Sequence, residues 1–452
     1  MGFTYGLALV LALFEGIIIQ CDGAPRQKLD APFLPDDLIE LIFSKTDFER
    51  IQEAAREKII RANGIVMSRI LRDRIILILP ERNEKIGGTN LGGITIGSYK
   101  GLELFFEKFG AQVKKIVIIL GENDDPRREI TQNIIKRYAK SFEDIRIKGS
   151  HLERFWNGIS DGENDIIFPE VKKFQIDGES NRNNFKLNLI FPKLASFTLI
   201  GRIADKNCLE NVKGLKELTL FTNIIEEGKL DGIFANNCNM TMISLTKPRR
   251  PETMHSIAKH LTKLETLIVL SPSENFLLRA NNSPVCKLPS VTHFSISFYT
   301  MDEVFENGNL SLNVPNLKWL TLHGYQNLDR IVNLIEHFKK LDILELFVND
   351  YDPVQCIEKL KHIKEFRTEF QENKFDSLKK MFKNFDKESK LQTVKFLRFD
   401  ESLYQKYDEE MKEFNILLEK SMKPTWTLSH KTYIETDCNF YCNRHQFGSQ
   451  DQ

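Results

Sequence analysis

The sequence predicts an α/β solenoid, a row of short parallel strands joined by returning segments, and three observations predict it. One pattern, apolar-x-x-apolar-x-apolar, recurs thirteen times between Leu91 and Phe396. Its spacing is near even: from Ile94 to Val394 the chain covers 300 residues in twelve steps, a mean of 25, with single steps of 21 to 29. Between copies, the stretches 129–141, 253–261 and 328–338 carry apolar residues at three and four spacing, as amphipathic helices do. An ordinary α/β domain alternates strands and helices without repeating one strand pattern at one period.

The copies run in order as Leu91-Ile94-Ile96, Val113-Ile116-Ile118, Phe142-Ile145-Ile147 and Val171-Phe174-Ile176. Leu194-Phe197-Leu199, Leu215-Leu218-Leu220, Met240-Ile243-Leu245, Leu264-Leu267-Val269 and Val291-Phe294-Ile296 follow. Leu317-Leu320-Leu322, Leu341-Leu344-Leu346 and Leu391-Val394-Phe396 complete the set, with Ile363-Phe366 a degraded copy in which Thr368 replaces the last apolar residue. Alternate apolar residues on a strand point to one face, here the solenoid interior. The residue three earlier turns the chain inward. A further apolar residue often precedes the pattern by three and is followed by proline: Phe168-Pro169, Phe191-Pro192, Leu288-Pro289, Val314-Pro315. Asn223 and Asn349 stand where such repeats place an asparagine that bonds the turn's backbone. Period and pattern are those of a leucine-rich-repeat array over residues 87–400, a horseshoe in which no single repeat buries its own apolar face.

Residues 33–79 read differently. Leu34-Pro35-Asp36-Asp37-Leu38-Ile39-Glu40-Leu41-Ile42-Phe43 opens a helix, with proline near its first turn and two acids at its N-terminus. A second helical stretch covers 48–60, and Ser68-Arg69-Ile70-Leu71-Arg72-Asp73-Arg74-Ile75-Ile76-Leu77 closes the segment. Leu34, Pro35, Leu38, Ile39, Ile42 and Phe43 match the opening of an F-box, and the distance to 75–77 suits its length. The usual middle, a valine, a cysteine, a basic pair and a tryptophan, is replaced by Ala54-Ala55-Arg56-Glu57-Lys58. Segment and repeats together resemble the F-box/leucine-rich-repeat proteins, particularly the divergent sets of insects. The resemblance implies a substrate receptor: the six residues would dock on the Skp adaptor of a cullin–RING ubiquitin ligase, and the repeats would hold the protein to be ubiquitinated. Read without it, the same helices are the α-helical cap that shields the first repeat of a solenoid.

The first residues point to another compartment. Phe3–Phe14 is an uncharged apolar run, and Cys21-Asp22-Gly23 suits cleavage before Ala24, so 1–23 has the form of a signal peptide lacking the usual leading Lys or Arg. A buried N-terminal helix or an anchor is the alternative. A working F-box implies cytoplasm or nucleus, a cleaved signal peptide implies secretion, and sequons at Asn239, Asn281 and Asn309 are as frequent as chance predicts in so asparagine-rich a chain. Seven scattered cysteines allow disulfides without requiring them. No later stretch approaches the roughly 20 apolar residues of a membrane helix.

On each strand the residues flanking the buried pair face the other side of the sheet, the concave, partner-binding side of such arrays. Phe221, Met242, Ile268, Leu270, His293, Trp319, Thr321, His323, Ile343 and Phe347 fall there. An exposed row of such groups is what a protein partner would use as hot spots. Lys115, Arg146, Lys148 and Lys173 make the earlier strands a basic end that would steer an acidic partner. Lysine and arginine together number 63 against 63 acids, so nucleic acid is not expected as a partner. Phenylalanine, at 33 residues, points to buried aromatic packing.

Catalytic and metal motifs do not form. Gly87-Gly88 and Gly92-Gly93 lack the Lys-Ser/Thr of a phosphate loop. Glu122-Asn123-Asp124-Asp125 reads as a solvated turn, and Cys438, Cys442 and His445 lack a fourth zinc ligand at a reliable spacing. The expectation is a non-catalytic chain without cofactor. Residues 401–423 form a charged amphipathic helix, the C-terminal cap, and a tail follows from Pro424.

Overall fold

In the computed structural model, the described residues are 71, 75–78, 94–96, 99–121, 127–149, 152–159, 166–180, 185–203, 205–221, 227–273, 276, 285–298, 312–324, 338–347, 362–369, 391, 393–397, 409, 412 and 425–428. The strands are β1 (Ile75–Ile78), β2 (Ile94–Ile96), β3 (Lys115–Ile119), β4 (Asp144–Gly149), β5 (Lys173–Ser180), β6 (Ser196–Ile203), β7 (Glu217–Phe221), β8 (Met242–Thr246) and β9 (Thr266–Leu270). They continue with β10 (Cys286–Lys287), β11 (His293–Phe298), β12 (Leu312–Asn313), β13 (Trp319–Gly324), β14 (Ile343–Phe347), β15 (Glu365–Glu369), β16 (Thr393–Leu397) and β17 (Thr425–Leu428). Helices α1 (Tyr99–Phe109), α2 (Arg127–Tyr138), α3 (Leu152–Ile159), α4 (Leu187–Ile190), α5 (Glu227–Asn236) and α6 (Pro251–His260) lie in the crossovers.

Fifteen of these strands form one sheet in the order β17-β16-β15-β14-β13-β11-β9-β8-β7-β6-β5-β4-β3-β1-β2. Every neighbouring pair is parallel. The small β10–β12 pair stands apart. The result is an α/β all-parallel sheet of alternating strands and helices, consistent with a leucine-rich-repeat-like solenoid. Register follows the sequence pattern. Leu218 pairs with Ile243, Ile243 with Leu267, Leu267 with Phe294, Phe294 with Leu320, and Leu320 with Leu344. With the strand's first residue as position 1 from β3 onward, these anchors occupy position 2. The other buried residues of the pattern occupy position 4, and from β3 to β15 of the long sheet both rows are almost solvent-free. Each such side chain contributes about 1.5–3 kcal/mol on burial, so every rung depends on the two beside it.

The crossovers cover the face that positions 2 and 4 make. Pro251 at the first turn of α6, Glu252 beside it, and Lys259 and His260 in its last turn suit the helix dipole. The apolar-proline steps form turns: the amides of Val171, Leu194, Val291 and Leu317 donate to the carbonyls of Phe168, Phe191, Leu288 and Val314 at 3.2 to 3.4 Å. Proline at the second turn position presets that geometry. Phenylalanine fills the interior as its abundance suggested. Trp156 meets Phe174, Phe185 and Phe191 at ring distances of 5.2 to 6.4 Å, and Phe174 continues to Phe197 at 6.0 Å.

Two features correct the sequence reading. Ile75–Ile78, taken as the exit of a helical segment ending at 79, is a strand, and it lies between β2 and β3. Its four aliphatic residues in a row suit an interior parallel strand buried on both faces, whereas Ile-Thr-Ile of β2 suits the edge. The sheet therefore begins before residue 87. At the other end β17, within the stretch read as cap and tail, pairs with β16 and extends the sheet past residue 400. The F-box-like residues Leu34, Pro35, Leu38, Ile39, Ile42 and Phe43 lie outside the described residues, as do Asn223, Asn349, the glycines 87–93, Glu122–Asp125, Cys438, Cys442 and His445.

A glycine column marks where the rungs approach most closely. Gly149, Gly178 and Gly201 align at position 6 with φ of +140°, +151° and +104°. A Cβ on Gly178 would lie 2.0 Å from the carbonyl oxygen of Gly149, and one on Gly201 would lie 2.3 Å from that of Gly178. Only glycine fits both this backbone and this spacing.

Candidate functional site

Positions 1, 3 and 5 of the long sheet's strands from β3 to β15 point away from the helices and make a continuous open face. Every residue expected on the binding side falls on it, in register: Met242, His293, Trp319 and Ile343 at position 1, Ile268 and Thr321 at position 3, Phe221, Leu270, His323 and Phe347 at position 5. Their exposure differs from the expectation. Thr321, Ile268, Leu270, Phe347 and His323 are only 5% to 8% exposed, and the others are half-buried.

Register explains much of this. Parallel rungs lie about 4.8 Å apart, close to the contact distance of stacked rings, so aromatic residues at one position of neighbouring strands bury each other's faces. His293 stacks on Trp319 at 4.3 Å with an interplanar angle of 11°, and His323 stacks on Phe347 at 4.6 Å and 8°. The Arg367 guanidinium lies over the Trp319 ring at 4.3 Å. The indole N–H of Trp319 donates to Glu345 Oε2 at 3.1 Å. Trp319 is thus part of a built layer.

The charged partners in that layer were missed by the sequence reading. Glu345 is 2% exposed and lies 3.9 Å from Arg367. Arg367 Nε donates to Glu365 Oε1 at 2.5 Å, and Lys395 reaches the same oxygen at 2.8 Å. Burial pushes the Glu365 carboxyl upward, but the hydrogen bonds from Lys395 and Arg367 outweigh it and hold the group below its usual range. Burial, reinforced by the Arg367 charge, pushes the His293 imidazole down to about 4, so it is neutral at pH 7. Alternation of Glu345, Glu365, Arg367 and Lys395 along positions 1 and 3 was the available signal.

The expected basic end is also altered. Arg146 pairs with Asp144 at 3.3 Å, Lys148 with Asp177 at 3.1 Å, and Lys173 approaches Glu217 at 3.9 Å. Each of these basic residues faces a carboxylate on its own strand or on a nearby rung, so the pairing offsets the basic field. Between the two charged regions, positions 1, 3 and 5 of β8, β9, β11 and β13 carry no carboxylate, ammonium or guanidinium. The open face is charged, then neutral, then charged.

Away from this face, Asp231 of α5 accepts from Ser256 Oγ at 2.7 Å and lies 2.9 Å from His260 Nε2, both on α6. The hydrogen bonds from Ser256 and then His260 hold its carboxyl below the usual range. Serine and histidine share one carboxylate oxygen here, so the trio clamps two helices instead of activating a hydroxyl. Burial raises the Cys208 thiol to about 12, far from the thiolate a nucleophile needs. Among the described residues no group of three His, Cys, Asp or Glu could hold a metal, and no helix is long and apolar enough to cross a membrane.

Compared with protein-family models and with curated proteins, the chain finds no match in either.

Proposed function

We propose that the chain is a leucine-rich-repeat horseshoe that binds another protein on its concave face, as a non-catalytic substrate receptor of a cullin–RING ubiquitin ligase. The observation that carries the binding role is the open face itself. The strands of the long sheet from β3 to β15 present positions 1, 3 and 5 on the side opposite the helices, with aromatic, hydroxyl and charged residues in aligned columns. Such a surface is large enough for a protein partner, and its buried aromatic layers are preorganised. The adaptor role is supported by Leu34, Pro35, Leu38, Ile39, Ile42 and Phe43, whose spacing resembles an F-box opening.

The test is affinity purification of the full chain from cells, together with sequencing of its mature N-terminus. Recovery of the Skp adaptor, lost on Leu38→Ala with Ile42→Ala while the bound partner is kept, supports the receptor role. A mature chain beginning at Ala24 and recovered from medium overturns it and leaves a secreted binding protein whose N-terminal helices only cap the array.

A further inference from the structure

Three polar atoms on the neutral part of the open face are enclosed and have no hydrogen-bond partner: Ser244 Oγ and Thr246 Oγ1 on β8, and His293 Nε2 on β11. Ser244 has no exposed surface at all. Buried hydroxyls and ring nitrogens are normally paired, because an unpaired one forfeits its bonds to water with nothing in return. These three unmet donors and acceptors are spread diagonally over one strip, from position 5 of β8 to position 1 of β11. Ile268 and Leu270 of β9 pair in register with Ser244 and Thr246, and Thr266 of β9 pairs with both Met242 and His293. Met242 lies at the near edge, half-buried and with an unbranched side chain that can swing aside.

We infer that the strip from β8 to β11 receives an extended, uncharged peptide segment of the bound partner. This rests on the protein-binding reading above. The peptide's backbone N–H and C=O groups bond Ser244, Thr246 and His293, and one of its apolar side chains packs on Ile268 and Leu270. An extended backbone offers neutral donors and acceptors at regular spacing. From Thr246 to His293 the strip crosses two rungs and four residue positions, about 16 Å, the length of roughly five extended residues. Charge argues the same way. A carboxylate or ammonium seated here would lose its hydration and meet no counter-charge on β8, β9 or β11, whereas either flank supplies paired ions.

The test measures anisotropy of fluorescein-labelled nonapeptide pools on the full chain. One pool is randomised over Ala, Leu, Val, Ser, Thr and Asn, and two matched pools carry a fixed central Glu or Lys. The neutral pool should bind roughly ten-fold tighter than either charged pool. Ile268→Glu should lose that binding and lower the melting temperature, Thr246→Val should weaken it several-fold, and Lys263→Ala, off the open face, should leave it unchanged, the last two with a wild-type melting temperature. Preference for a charged pool, binding to no pool, or full binding by a folded Thr246→Val protein overturns the inference. Cellular partner capture separates the two failures: a partner still held by Ile268→Glu protein sinks the peptide strip alone, whereas no partner on wild-type protein sinks the binding reading as well.

Discussion

Asn237→Ala should cost the fold about 3 kcal/mol, far more than the same change one residue earlier. Asn237 follows the last residue of α5 and is 3% exposed. Its Oδ1 accepts the Leu215 amide at 2.9 Å, and its Nδ2 donates to the carbonyls of Val212 and Ile233, also at 2.9 Å. Val212 and Leu215 open the rung of the preceding repeat, so one side chain ties the end of a crossover to the start of the strand before it. Alanine removes all three bonds and strands a donor and two acceptors where water has no access, since Leu215, Val212 and Ile233 are 0% to 3% exposed. An unsatisfied buried group costs about 1–3 kcal/mol, more for an amide N–H than for a carbonyl with a second lone pair. Asn236 is the control: it is exposed, donates one bond at 3.1 Å to the Glu210 carbonyl, and its alanine variant should stay within about 0.5 kcal/mol. Urea unfolding compares the two midpoints, and amide exchange at Leu215 reports the local loss. Equal midpoints for the two variants, with Leu215 still protected in Asn237→Ala, would show that this asparagine does not couple the repeats.

Gly178→Ala should abolish soluble expression or lower the melting temperature sharply, because φ of +151° and a contact of 2.0 Å to the Gly149 carbonyl add together. Gly214→Ala, at φ +86° with nothing within 4 Å, should cost only about 1–2 kcal/mol, and similar costs at both sites would refute the close-approach argument. Asp231 titrates below its ordinary 3.8, so its stabilisation is present above that pH and lost as pH falls through the depressed value. Unfolding of wild-type and Asp231→Asn protein should therefore differ at neutral pH and converge in acid. His293 has the opposite chemistry: with its folded value near 4 against an ordinary 6.5, the unfolded chain takes up the proton first, and stability falls as pH drops from 6.5 to 4. The loss over that window is on the order of 3 kcal/mol. His293→Phe, which keeps the stack on Trp319, should flatten that part of the profile, and an unchanged slope would place the acid sensitivity elsewhere.

The fold was legible because register depends on a single repeated decision. Each apolar pair must face the helices, and a one-residue slip would turn Leu218 or Leu344 outward. The degraded copy shows how strong that rule is: Thr368 replaces an aliphatic residue at position 4, yet it is 1% exposed and its strand stays aligned with β14 and β16. The ends were less legible. β1 is a continuous aliphatic run without alternation, and it follows basic residues that extend a helical pattern. The candidate site was half legible. Position along a strand tells which face a side chain takes, but exposure depends on the neighbours two dozen residues away. The coupling asparagine was likewise sought after the strand, at Asn223 and Asn349, while Asn237 fills such a role from the end of a helix.

Columns, more than single residues, are therefore the units of the open face. At position 3 the column reads Thr198, Thr219, Ser244, Ile268, Ser295, Thr321, a hydroxyl run interrupted once. Ile268 divides that run beside the enclosed hydroxyl of Ser244. An aliphatic side chain on one rung and an unpaired hydroxyl on the next present two opposite demands within about 5 Å. Water meets the second and not the first, and a hydrocarbon surface meets the first and not the second. A peptide backbone with an apolar side chain would meet both at that spacing, which is why the break in the column, and not the larger aromatic layer around Trp319, is the site proposed for the peptide segment.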